Sequence, residues 1–125
     1  MLGYSIVGSN NLEAAKAFYA AFLKELGIIH LFDHPTGGAI YGADGKLRFG
    51  VLGPYDGKPH AVGNGQMTAL EAQSRAEVDR LHAHALSLGA TNEGDPGPRG
   101  GDASPFYGSY CRDLDGNKLC IFKWG

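Results

Sequence analysis

The stretch YGSYCRDLDGNKLCIF (107–122) reads as two short strands joined by a tight turn. Residues 106–112 and 118–123 carry the aromatic and apolar side chains of strands. Between them, DLDGN is turn chemistry. Two loops fit the spacing. If Asp115-Gly116 is a two-residue loop, Cys111 lies opposite Cys120. If Leu114-Asp115-Gly116 is a three-residue loop with Gly116 left-handed, Tyr110 lies opposite Cys120 instead. The second is favoured, because DLDG suits a type I turn followed by a left-handed glycine. This register decides which side chains the final strand brings to its two faces.

Upstream, Ser74 and Glu77 have the spacing of a capping box. Val78, Leu81, Ala85 and Leu88 then recur at helical spacing, with Gly89 as the stop. QMTALEA (66–72) precedes this helix as a strand, and EGDPGPRGGD (93–102) follows it as a glycine-rich loop. The same order is found near the start. LGYSIVG (2–8) is a strand candidate. Asn10 and Glu13 have capping spacing, Leu12, Ala15, Tyr19, Phe22 and Leu26 form an apolar stripe, and Gly27 ends it. Strand candidates follow at 28–33, 39–43 and 47–53, separated by the turn segments HPTGG and DGK. The Pro/Gly-rich segment PYDGKPHAVGNG (54–65) has no apolar period and reads as a linker.

The two helix starts, Asn10 and Ser74, are 64 residues apart. The order of elements therefore predicts an internal duplication of a βαβββ unit. The expected fold is α+β: one domain over 1–125, with halves at 1–53 and 66–125 joined by the linker 54–65. Two such units side by side predict an incomplete barrel with helices outside and a ligand pocket on the concave side.

Bulk composition narrows the function classes. A chain of 125 residues supports one compact core, and 43% hydrophobic with 19% charged residues is globular composition. The net charge of −2 gives no basic excess for nucleic acid. No apolar run reaches the roughly 18–20 residues of a membrane span, and no signal segment is legible. A cytoplasmic location is expected, with Cys111 and Cys120 as reduced thiols. The 20 glycines are scattered and fall where turns are expected.

Taken in order, NNLEAAKAFYAAFLKELGI, SRAEVDRLHAHALSLGA and YGSYCRDLDGNKLCIF resemble the vicinal oxygen chelate superfamily. That superfamily holds glyoxalase I, the bleomycin- and fosfomycin-resistance proteins and the extradiol dioxygenases. The resemblance spans almost the whole chain and implies the barrel fold above. It also implies a divalent metal held by side chains from four inner strand faces, which polarises adjacent substrate oxygens. The ligand positions carried over from it fall on Tyr4, on Phe49 or Gly50, on Met67 and on Cys120. These are not the histidine and carboxylate donors that such chemistry uses. The resemblance therefore implies a small-molecule-binding protein with no metal or other cofactor. The alternative is a divergent metal-dependent lyase or isomerase of the lactoylglutathione lyase type, using zinc, nickel or manganese. Whether the chain is catalytic stays open at this point. A homodimer is implied in either case, with Phe122 and Trp124 as contact or core residues.

The pocket candidates are Tyr4, Phe49, Met67, Arg99, Tyr107, Tyr110 and Cys120. Tyr4, Tyr107 and Tyr110 either line the cavity or are core aromatics with the hydroxyl at an edge. Cys120 is a buried small hydrophobe unless a cation lowers its pKa. Arg99 is either a surface loop residue or a clamp for a carboxylate or phosphate. All five histidines read as solvated. His82 and His84, two apart on a helix, point about 200° from one another and cannot share a metal.

Overall fold

A computed structural model describes residues 1–125 of the chain. Its elements run β1 (Ser5–Gly8), α1 (Leu12–Lys24), β2 (Ile29–Asp33), β3 (Gly38–Ala43), β4 (Lys46–Leu52), β5 (Thr68–Glu71), α2 (Arg75–Ser87), β6 (Thr91–Pro98), β7 (Phe106–Arg112) and β8 (Lys118–Trp124). They fall into two units, Met1–Asn64 and Gly65–Gly125. Each unit has one helix and one four-stranded sheet, ordered β1-β4-β3-β2 and β5-β8-β7-β6. The topology is thus repeated, as the element order predicts. In each sheet the first and last strands of the unit pair in parallel and the other pairs are antiparallel. Neither sheet closes into a barrel. No helix is long and apolar enough to cross a membrane.

In the first unit, α1 buries Ala15, Phe18, Tyr19, Phe22 and Leu23. Leu12 and Leu26, which the sequence reading puts in the stripe, are half-buried, while Phe18 and Leu23 join the buried face. The helix starts one residue later than expected. Asn11, rather than Asn10, accepts the Ala14 amide at 3.2 Å. Asn10 is committed elsewhere: its Nδ2 donates to the His60 carbonyl at 3.1 Å, and its Oδ1 accepts the His60 amide at 2.7 Å. This pair ties the segment after β4 to the end of β1. The His60 ring lies where a side chain at Gly8 would be, and its Nε2 is buried without a partner. His60 is therefore not the solvated loop residue expected. Gly27, at φ 75°, ends the helix as expected, and the Ile28 amide reaches back to the Leu23 carbonyl at 3.0 Å.

In the second unit, Ser74 Oγ accepts the Glu77 amide at 3.0 Å, as the capping spacing requires. The 107–120 hairpin takes the three-residue loop. Tyr110 pairs with Cys120, and Gly116 sits at φ 89°. The Asp113 amide donates to the Asn117 carbonyl at 2.9 Å. The Asp113 carboxylate accepts the Asp115 and Asn117 amides at 2.9 Å each, so the loop is built around one side chain.

The glycine-rich loop expected at 93–102 is instead mostly strand β6, paired with β7. Proline is tolerated there because β6 is an edge strand, and register shifts between Asn92 and Gly97 absorb the irregular backbone.

His82 also differs from the solvated residue expected. It is 4% exposed, on the α2 face that buries Val78, Leu81 and Ala85. Neither ring nitrogen reaches a partner in good hydrogen-bond geometry, although the Asn92 side chain lies near enough to act on the ring. Burial lowers its pKa below 6.5, opposed by Asn92 and by the carboxylates of Asp95 and Asp79. A neutral buried ring that must charge destabilises the fold as protons are added. The cost begins as pH falls through the unfolded value of 6.5 and is complete below the folded pKa. His82→Leu removes both the orphaned nitrogens and this titration. Urea midpoints at pH 7.5 and pH 5 are expected to fall less for His82→Leu than for wild type. An equal fall would show that His82 does not carry acid sensitivity.

Candidate functional site

Strand side chains alternate, so each sheet has one face for its helix and one opposite face. In β4, Phe49 and Val51 face α1, and the Phe49 ring centre lies 4.7 Å from that of Tyr19. Phe49 is 1% exposed, so it belongs to the helix-side core and not to the opposite face expected of a pocket residue. Its neighbour Gly50 points to the opposite face, between Ile6 and Ile40.

That opposite face is apolar and hollow. Ile6, Ile40, Leu47 and Leu52 share it with Phe32 and Pro35, around a concavity of about 290 Å³. Tyr4 and His34 add the polar atoms of the lining. Tyr4 lies immediately before β1 and is 50% exposed. His34 stands in the turn between β2 and β3. Its Nδ1 contacts Thr36 Oγ1 at 2.7 Å and accepts the Thr36 amide at 3.2 Å. An imidazole nitrogen that accepts carries no proton, so the neutral ring holds its proton on Nε2.

The face opposite α2 in the second unit has different chemistry. Tyr110 and Cys120 are cross-strand partners there. The Arg99 guanidinium lies 5.4 Å from the Tyr110 ring centre, and Lys118 Nζ lies 5.3 Å from it. Arg99 is held by the backbone of β6: Nη1 donates to Gly97 O at 3.0 Å and Nη2 to Asp95 O at 2.7 Å. Burial pushes the Cys120 thiol up to about 11, although Arg99, Tyr110 and Lys118 pull the other way. Burial likewise raises Tyr110, with a contribution from Cys120. At neutral pH both are protonated. Cys111 pairs with Leu119, one register step away, so the two thiols point to opposite faces and stay free.

The expected site residues fall in both units. Tyr4 lines the first unit's concavity, while Arg99, Tyr110 and Cys120 meet in the second unit. Met67 is 48% exposed, just before β5. Tyr107 is on the α2 face, where its hydroxyl donates to Asp79 Oδ1 at 2.6 Å under the Arg75 guanidinium. The sequence reading missed Phe32, His34, Leu47 and Lys118. Strict alternation would send Phe32 with His30 and Leu47 with Phe49 to the α1 side. Register shifts between His30 and Phe32 and opposite Tyr41 and Gly42 turn them to the other face, and His34 depends on a turn conformation.

The positions that the superfamily uses for metal do not fit an ion. Phe49 is turned away, Gly50 has no side chain, and Tyr4, Met67 and Cys120 offer a phenol, a thioether and a thiol in place of histidine and carboxylate donors. No three His, Cys, Asp or Glu side chains cluster closely enough to hold one.

Comparison with known proteins finds the same fold in solved structures. A glyoxalase/bleomycin resistance protein from Albidiferax ferrireducens T118 is 36% identical, with a TM-score of 0.85 over 98% of this chain and 97% of that one. A glyoxalase-related enzyme from Fulvimarina pelagi shares the fold at 19% identity and a TM-score of 0.73, over 98% of this chain and 86% of that one. A glyoxalase/bleomycin resistance protein/dioxygenase family enzyme from Burkholderia phytofirmans PsJN does so at 16% and 0.73, over 96% and 95%. No protein-family model and no curated protein matches the chain.

A thiol whose pKa is raised from 9.0 to about 11 loses roughly a hundredfold of its thiolate at neutral pH. Cys120 is therefore expected to react with iodoacetamide at least that much more slowly than free cysteine at pH 7.5, with the rate still climbing above pH 9. Peptide mapping separates it from Cys111. A fast reaction that levels off below pH 8 would contradict the neutral thiol.

Proposed function

The chain belongs to the glyoxalase/bleomycin resistance protein family, and from that premise we propose that it binds a small apolar molecule without a metal ion, in the concavity of its first unit. The observation that carries this reading is the concavity itself: about 290 Å³, lined by Ile6, Phe32, Ile40, Leu47 and Leu52, with only Tyr4 and His34 to orient an occupant. Apolar walls with few polar groups are the usual make-up of a small-molecule site, and this volume is just below the roughly 300–1,000 Å³ such sites commonly have. The lack of a three-donor cluster weighs against the lyase or isomerase alternative, which needs such a cluster to hold zinc, nickel or manganese.

The same proposal places the protein in the cytoplasm as a homodimer. Ile29 and Trp124 are 57% and 59% exposed, large apolar side chains of the kind that interfaces cover. Light scattering should give twice the chain mass of 13.2 kDa, and a monomer at micromolar concentration would contradict it.

Binding is tested by calorimetric titration with a panel of aromatic and alicyclic compounds, with EDTA present throughout. At least one binder is expected, with an affinity that added zinc, nickel or manganese leaves unchanged. Leu47→Glu, at a position 37% exposed and thus tolerant of charge, should weaken that binder by about tenfold or more. Binding that requires the metal, or no binder in a broad panel, would overturn the reading.

A further inference from the structure

The lining of the first unit's concavity restricts what can occupy it. It contains no lysine, arginine, aspartate or glutamate. An anion placed there would lose water without gaining a counter-charge, which disfavours carboxylates and phosphates. The polar atoms on offer are few and of known sense. His34 Nδ1 is committed to Thr36 through two contacts, so the N–H that His34 has left for an occupant is Nε2–H. Tyr4 contributes a hydroxyl, which can donate or accept. An apolar occupant with no acceptor would strip water from these donors and return nothing.

Resting on the binding reading above, we propose that the occupant is an uncharged molecule with an apolar body and a carbonyl acceptor, an aromatic or alicyclic ketone or ester, and that His34 Nε2–H is the group that selects the carbonyl. The apolar body fills the space between Ile6, Phe32, Leu47 and Leu52, and the carbonyl oxygen meets the imidazole. The rigid part of the selection is the turn. With Nδ1 held by the Thr36 amide and hydroxyl, the ring keeps one tautomer and one orientation, so the donor is set before the ligand arrives.

The test uses three probes of matched shape on the full chain: 2-acetylnaphthalene, 2-ethylnaphthalene and 2-naphthoate, titrated by calorimetry or ligand-observed NMR. The ketone is expected to bind about five- to tenfold more tightly than the hydrocarbon, the range of one hydrogen bond, with the carboxylate weakest. His34→Phe keeps an apolar ring in the lining and removes the donor. It should bring the ketone-to-hydrocarbon ratio to about one, while the hydrocarbon still binds and circular dichroism is unchanged. Equal binding of ketone and hydrocarbon to wild type would overturn the assignment and leave the metal-free binding reading standing. So would a preference that survives in His34→Phe, or a carboxylate that binds best. Binding of none of the three would count against the concavity as a ligand site, and the selection by His34 would fall with it.

Discussion

Tyr19 of α1 lies on Phe49 of β4, ring centre to ring centre at 4.7 Å, and the chemistry of the first unit follows from that contact. It commits one face of the sheet to the helix. Because strand side chains alternate, it also commits Gly50, Leu52, Ile40 and Ile6 to the other face. A side chain at Gly50 would meet the Cδ1 ends of Ile6 and Ile40, so both of these lining residues would have to shift to admit it. The second unit repeats the device with other residues. Leu119 and Ile121 are fully buried with Val78 and Leu81 of α2 in that unit's core, which sends Cys120 and Tyr110 to the opposite side.

The two open faces have diverged although their topology is the same. One is apolar and concave with a fixed imidazole donor. The other sets Arg99 and Lys118 about a tyrosine, with a neutral thiol as its neighbour. The positions that the superfamily resemblance assigns to metal donors are here Tyr4, Phe49 or Gly50, Met67 and Cys120, none of them a histidine or a carboxylate. Within each unit the helix-side packing holds the sheet, so residues on the opposite face can differ without loss of the fold.

Much of this was legible in the sequence, for reasons that are local. The DLDG turn required a left-handed Gly116, and that alone placed Tyr110 opposite Cys120. Ser74 and Glu77 marked a helix start that depends on one hydrogen bond across three residues. Failures came where a distant group competes. Asn10 had the spacing of a cap but is taken by His60, fifty residues on, so Asn11 caps instead. The strand in EGDPGPRGGD was hidden by its prolines and glycines, which an edge position and bulges accommodate. Phe49 and Gly50 are adjacent, and choosing between their faces needs the register with β3, which lies beyond any local pattern. His82 was readable in principle, since 78, 81, 82 and 85 form one helical face, but a polar residue on that face is easily assigned to water.

If the proposed site works without a metal, purified protein will show it in its metal content. Protein purified without chelators, without an affinity tag that binds metal, and analysed fresh by elemental mass spectrometry should carry divalent ions only at trace level. About one zinc, nickel or manganese per chain would contradict the account and would mean that donors come together which no three-residue cluster in the chain provides.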